Sequence, residues 1–137
     1  MKKKVLFLCT HNSCRSQMAE GIVNHYLGQR FQAFSAGTEA TTVNPKAIAI
    51  MAEIGIDITG HHSKTMDEFS GESFDYVITL CGDANEKCPL FFGGVERMHI
   101  GFHDPSKATG TDEEVMADFR KVRDEIKTSL LEFFKNV

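Results

Sequence analysis

The sequence has 137 residues, 42% of them hydrophobic and 25% charged, which is the size and make-up of one globular domain with a real core. Its net charge of −4 excludes an overall attraction to nucleic acid or anionic membranes and leaves a local anion pocket open. The lysines of Met1-Lys-Lys-Lys4 precede an apolar run, Val5 to Leu8, far too short for a signal peptide or a membrane span, so a cytoplasmic protein is expected.

Residues 4–9, KVLFLC, lack polar alternation, as a central strand buried on both faces would. Ser16 to Gly28 reads as a helix with Met18, Ile22 and Tyr26 on one stripe and Gly28 as its stop. FQAFSAG at 31–37 is a second strand. Asn44-Pro45 opens a second helix as N-cap and first-turn proline, Ile48, Met51 and Ala52 give its apolar stripe, and Gly55 closes it. FDYVITLC at 74–81 is another buried strand, and GVERMHI at 94–100 is a weaker fourth. Thr111 to Glu114 spells a capping box, followed at helical spacing by Val115, Phe119, Val122, Ile126, Leu130 and Phe133.

Strands alternating with helices imply βαβ units. The expected fold is α/β: one domain over residues 1–137, a three-layer sandwich with a four-stranded parallel sheet flanked by helices. Ligands of such sheets gather at the carboxyl ends of the strands. Cys9 and Cys81 both end predicted strands, so that rule puts them on one rim. Reduced thiols are the norm in the cytoplasm, and the chain's four cysteines therefore read as catalytic, redox or metal-binding residues before they read as structural disulfides.

The densest chemistry is the loop Cys9-Thr10-His11-Asn12-Ser13-Cys14-Arg15-Ser16. A strand–loop–helix turn aims backbone N–H groups and the positive end of a helix dipole at one point. Thiols at such places fall from about 8.5 to roughly 3.5–7.5 in pKa. Arg15 adds a planar fork of donors suited to a tetrahedral oxyanion such as phosphate or arsenate. The loop lacks the Gly-Lys-Ser/Thr ending of a nucleotide-binding loop, which argues against ATP and GTP. A thiolate beneath an oxyanion cradle points to nucleophilic attack on the central atom. Cys14, beside Arg15 at the helix start, reads as a packing residue. CTHNSCRSQMAEG resembles the signature loop of the low-molecular-weight tyrosine phosphatase superfamily, and more closely that of its thioredoxin-coupled arsenate reductases. The resemblance implies a nucleophilic role for Cys9, oxyanion binding by Arg15 and residues 10–16, a loop-shaping role for Asn12, and a hydrogen bond from Ser16 to the thiolate.

Asp104-Pro105 lies in the polar loop GFHDPSKATG. Proline restrains the residue before it, so Asp104 is either a held carboxylic acid able to protonate a departing oxygen or simply part of a turn. The resemblance favours the general acid. The residues that follow, Ser106, Lys107 and Ala108, offer no aromatic platform for a phosphotyrosine ring.

LCGDANEKCP at 80–89 separates the branches of the superfamily. Cys81 and Cys88 could relay oxidation by thiol–disulfide exchange, which phosphatase chemistry does not need. The resemblance extends through SAG at 35–37, NPKAI at 44–48, TLCGDA at 79–84 and VRDEI at 122–126. It implies arsenate as substrate, a Cys9–Cys81 disulfide followed by a Cys81–Cys88 disulfide, and thioredoxin as the source of electrons, with no bound cofactor or metal and a monomeric chain. Two other readings use the same residues. One is a low-molecular-weight phosphatase. The other is a non-enzymatic oxyanion or zinc module in which Cys81, Cys88, His99 and His103 form an irregular C-x6-C, H-x3-H set whose first gap exceeds the usual spacing.

Several positions depart from the family pattern. His11 stands where a glycine is usual. Glu20 and Ser35 match a potassium site beside the loop, but Lys64, after His61-His62, does not, and its ammonium is expected to take the ion's place. Ile100 and His103 replace residues that are commonly Trp and Asp.

Overall fold

The computed structural model describes residues 2–82, 94–135 and 137. In chain order they form β1 (Lys3–Cys9), α1 (Arg15–Tyr26), β2 (Phe31–Gly37), α2 (Pro45–Ala52), β3 (Phe74–Cys81), β4 (Gly94–Phe102) and α3 (Asp112–Phe134), with 3₁₀ turns at Met66–Phe69 and Pro105–Lys107. The strands lie in the order β2-β1-β3-β4, and every pairing is parallel. The α/β expectation thus holds, and the strand order reverses between β1 and β3, where such sheets bind ligands.

Alternate strand residues sort into two cores. Val5, Phe7, Ala33 and Ile78 pack with the buried faces of all three α-helices, while Leu6, Leu8, Ala36 and Val77 pack with Phe69 of the first 3₁₀ turn. β1 is central and covered on both sides, which is why its sequence shows no polar alternation.

Three helical stripes differ from expectation. Helix α1 ends at Tyr26, not Gly28, and Tyr26 is 38% exposed, with the Lys127 ammonium 4.9 Å from its ring centre. Gly28 serves by close approach: a Cβ there would meet the Asn24 carbonyl oxygen at 2.3 Å. In α2 the buried positions are Ala47, Ile50 and Met51, with Ile48 half-buried and Ala52 exposed. In α3 it is Phe134, more than Phe133, that enters the core, against Phe31 and Tyr76. Strand β4 runs two residues past the expected 94–100, because the irregular register opposite Thr79 and Cys81 lets it continue to Phe102.

The helix starts differ in a way that matters for function. Asn44 caps α2 by accepting from Lys46 N at 2.9 Å, and Thr111 and Glu114 form the expected capping box on α3. The N-cap residue of α1 is Cys14, and no side chain caps that helix. The positive end of its dipole therefore faces the strand rim without a capping side chain.

Candidate active site

Between β1 and α1 the chain turns tightly around Asn12, whose φ of 49° is the one left-handed value at a non-glycine residue among the described residues. Asn12 is completely buried and acts as a hub. Its Nδ2 donates to Ser16 Oγ at 2.7 Å, and its Oδ1 accepts from Gln17 Nε2 at 2.9 Å and from Lys64 N at 3.0 Å. Ser16 Oγ in turn lies 2.9 Å from Cys9 Sγ. Thr10 holds the other side: its carbonyl accepts from the main-chain N–H groups of Thr38 and Glu39 at 2.9 and 3.1 Å. The roles expected of Asn12 and Ser16 thus have matching geometry.

A small cleft of about 200 Å³, open mouth included, sits over this loop and is lined by Cys9, His11, Ser13, Cys14, Arg15, Asp104 and Ser106. Thr10, Asn12 and Ser16 brace it from behind. Arg15 is buried at 2% exposure; its Nη1 donates to the Phe102 carbonyl at 3.0 Å, and its Nη2 lies 3.6 Å from Asp104 Oδ2. The Asp104 oxygen Oδ1 accepts from Ser106 N at 3.0 Å and Ser106 Oγ at 2.7 Å, so the carboxylate is fixed in rotamer and faces the guanidinium. His103 ties the same loop to α3 through Asp118, Nε2 to Oδ2 at 2.5 Å.

Burial, together with the nearby Asp104 carboxylate, pushes the Cys14 thiol up to about 12 from an ordinary 9.0. A protonated thiol is a poor nucleophile, which suits a packing role. Iodoacetamide at about pH 8 should therefore leave Cys14 unmodified in the folded protein, and Cys14→Ala should keep phosphate affinity within roughly fivefold, read by peptide mass spectrometry and by calorimetric titration.

Cys81 ends β3 at the same rim as Cys9 but is not among the residues lining the cleft. It is 6% exposed, and the backbone beyond it is crowded: a Cβ on Gly82 would meet the Phe102 carbonyl oxygen at 2.4 Å. Cys88 lies outside the described residues. Of the residues in the zinc reading, His99 Nδ1 is 2.7 Å from Thr79 Oγ1, and His103 is held by Asp118. No group of three or more potential metal ligands occurs among the described residues. Among them, too, no helix is long and apolar enough to cross a membrane.

Beside the loop, Glu20 collects Ser35 Oγ at 2.5 Å, His61 Nε2 at 3.5 Å and Lys64 Nζ at 3.8 Å. Lys64 Nζ also donates to the His62 carbonyl at 3.1 Å. An ammonium thus occupies the carboxylate where relatives were expected to hold potassium. Activity should be equal, within about 1.5-fold, in potassium and sodium buffers of matched ionic strength. A strong, specific activation by potassium would contradict this role for Lys64.

Sequence reasoning missed three residues that build the site. Gln17 is fully buried and links Asn12 to the His62 carbonyl at 3.0 Å and to His61 Nδ1 at 3.0 Å. Ser106 orients Asp104. Gly37 lets β2 press on the loop, since a Cβ there would lie 2.8 Å from Asn12 N and Thr10 O. A polar Gln beside Met18 in the first turn of a helix, and a glycine ending a strand next to the loop, were the available signals.

Comparison with known proteins agrees with this geometry. The family profile "Low molecular weight phosphotyrosine protein phosphatase" matches residues 4–137. A protein named arsenate reductase from Halalkalibacterium halodurans is 55% identical over 125 residues, covering 91% of this chain and 90% of its own. A solved structure described as an arsenate reductase in the phosphate binding state superposes with a TM-score of 0.82 at 35% identity, over 100% of this chain and 99% of the other. A thioredoxin-dependent arsenate reductase from Corynebacterium glutamicum superposes at 0.61 with 28% identity, over 96% of this chain and 63% of that one. The loop from Cys9 to Ser16, the four parallel strands that carry it and these likenesses over nearly the whole length agree: the chain belongs to the low molecular weight phosphotyrosine protein phosphatase family and stands with its arsenate reductase members.

Proposed function

We propose that this protein reduces arsenate to arsenite, with electrons drawn from its own cysteines and restored by thioredoxin. The observation that carries the reading is Cys9, held by Ser16 at the floor of a cleft that also contains Arg15 and Asp104. In the first step the Cys9 thiolate attacks arsenic(V) and forms an S–As bond. One arsenate oxygen leaves as water, with Asp104 as proton donor. In the second, a Cys81 thiolate attacks Cys9 Sγ. The S–As bond breaks, its electron pair stays on arsenic as arsenite, and a Cys9–Cys81 disulfide forms. Cys88 then attacks Cys81, freeing the Cys9 thiolate, and a thioredoxin dithiol reduces the Cys81–Cys88 disulfide. Support for the relay comes from Cys81 at the rim, from Cys88 seven positions on in the sequence, and from the thioredoxin-dependent relative.

Plain phosphatase activity is the second reading, favoured by the same loop. No Phe, Tyr or Trp lines the cleft among the described residues, so aryl phosphates gain no such platform and should turn over slowly. Thioredoxin-coupled arsenate turnover by Cys81→Ser and Cys88→Ser separates the two. Both variants should lose multiple turnover and keep whatever phosphatase activity the parent has. Full arsenate turnover by both would remove the relay.

A further inference from the structure

The cleft is poor in positive charge for a site that receives a multiply charged anion. Among the described side chains lining it, only Arg15 and His11 can be cationic, and they share it with the Cys9 thiol and the Asp104 carboxylate. The Arg15 guanidinium is already engaged, with Phe102 O at 3.0 Å and with Asp104 at 3.6 Å. An oxyanion arriving next to a thiolate therefore meets a cation whose field is shared with a neighbouring carboxylate.

His11 also lines the cleft. Its carbonyl oxygen accepts from Ser63 Oγ at 2.9 Å and from Thr41 Oγ1 at 3.5 Å, so two hydroxyls from outside the loop hold its main chain. Its Nε2 lies 3.5 Å from Glu39 Oε2, and Glu39 is itself fastened to the loop by its N–H on the Thr10 carbonyl at 3.1 Å. The His11 side chain is 44% exposed, which places it at the mouth of the cleft. The charged and titratable groups near it are Glu39 beside its Nε2 and, lining the same cleft, Cys9, Cys14, Arg15 and Asp104.

We propose that the His11 side chain is a second cationic contact for the oxyanion, set at the mouth of the cleft and oriented by Glu39. This rests on the reading of the cleft as an oxyanion site but not on the cysteine relay. A glycine at this position would supply only backbone N–H; the imidazolium adds a charge-assisted donor that favours anions over neutral molecules.

Calorimetric titration with inorganic phosphate at about pH 6 tests this without any redox turnover. His11→Gly and His11→Gln should each weaken phosphate binding roughly three- to tenfold, and His11→Lys should restore it to within about twofold. In turnover assays His11→Gln should raise KM for arsenate while leaving kcat within about twofold, a split that loosened loop packing would not give. Unchanged phosphate affinity in His11→Gly and His11→Gln would overturn the proposal. So would a loss in both that His11→Lys fails to rescue, since the contact would then not be one of charge. If the unaltered protein itself takes up no phosphate, the oxyanion reading falls, and this proposal with it.

Discussion

Cys9→Ser is expected to fold, to retain phosphate binding and to lose arsenate turnover by at least about 10⁴-fold. The substitution is small. Cys9 is 2% exposed, and its sulfur has a hydroxyl partner in Ser16 at 2.9 Å, which a serine oxygen could also satisfy. The cradle of Arg15 and the uncapped start of α1 does not depend on the sulfur. What disappears is the nucleophilic sulfur that forms the S–As bond in the proposed first step. Calorimetric phosphate titration and an arsenite assay on the same preparation check both halves. Retained turnover would place the chemistry elsewhere.

Gly37→Ala is expected to lower kcat/KM by about 100-fold with all the reacting side chains in place. The added Cβ would stand 2.8 Å from Asn12 N and Thr10 O and 2.9 Å from Cys9 O. All three are backbone atoms, so no side chain can swing aside, and the loop itself must shift. Asn12 holds a left-handed φ of 49° while Ser16, Gln17 and Lys64 fix its side chain, and a displaced loop strains all of these bonds. The cost in stability should be about 1–3 kcal/mol, as for other overpacked interiors. Thermal melting and arsenate kinetics read the two effects separately. Full activity in this variant would mean that the loop tolerates movement that the contacts say it cannot.

The parts of the site legible in the sequence were those built from one continuous segment. Cys9, Arg15 and Ser16 fall within eight residues, and strand–loop–helix geometry converts that spacing directly into a cradle. Helix α3 was legible from its capping box and its run of apolar positions for the same reason. The elusive parts depend on atoms that every residue carries. Arg15 is positioned by the Phe102 carbonyl 87 residues away, and Gln17 by the His62 carbonyl 45 away. Backbone acceptors leave no mark on amino-acid identity, so such contacts come only from the fold. Tyr26 misled because helical spacing gives the direction of a side chain but not how far the neighbouring element covers it.

The most direct test of the central claim is one turnover of the reduced protein with arsenate and no thioredoxin, stopped and mapped by mass spectrometry. The account predicts one arsenite released per chain, a Cys81–Cys88 disulfide in the product, and Cys9 and Cys14 both recovered as thiols. Arsenite formed while Cys81 and Cys88 remain reduced, or no arsenite at all from a protein that binds phosphate, would contradict it.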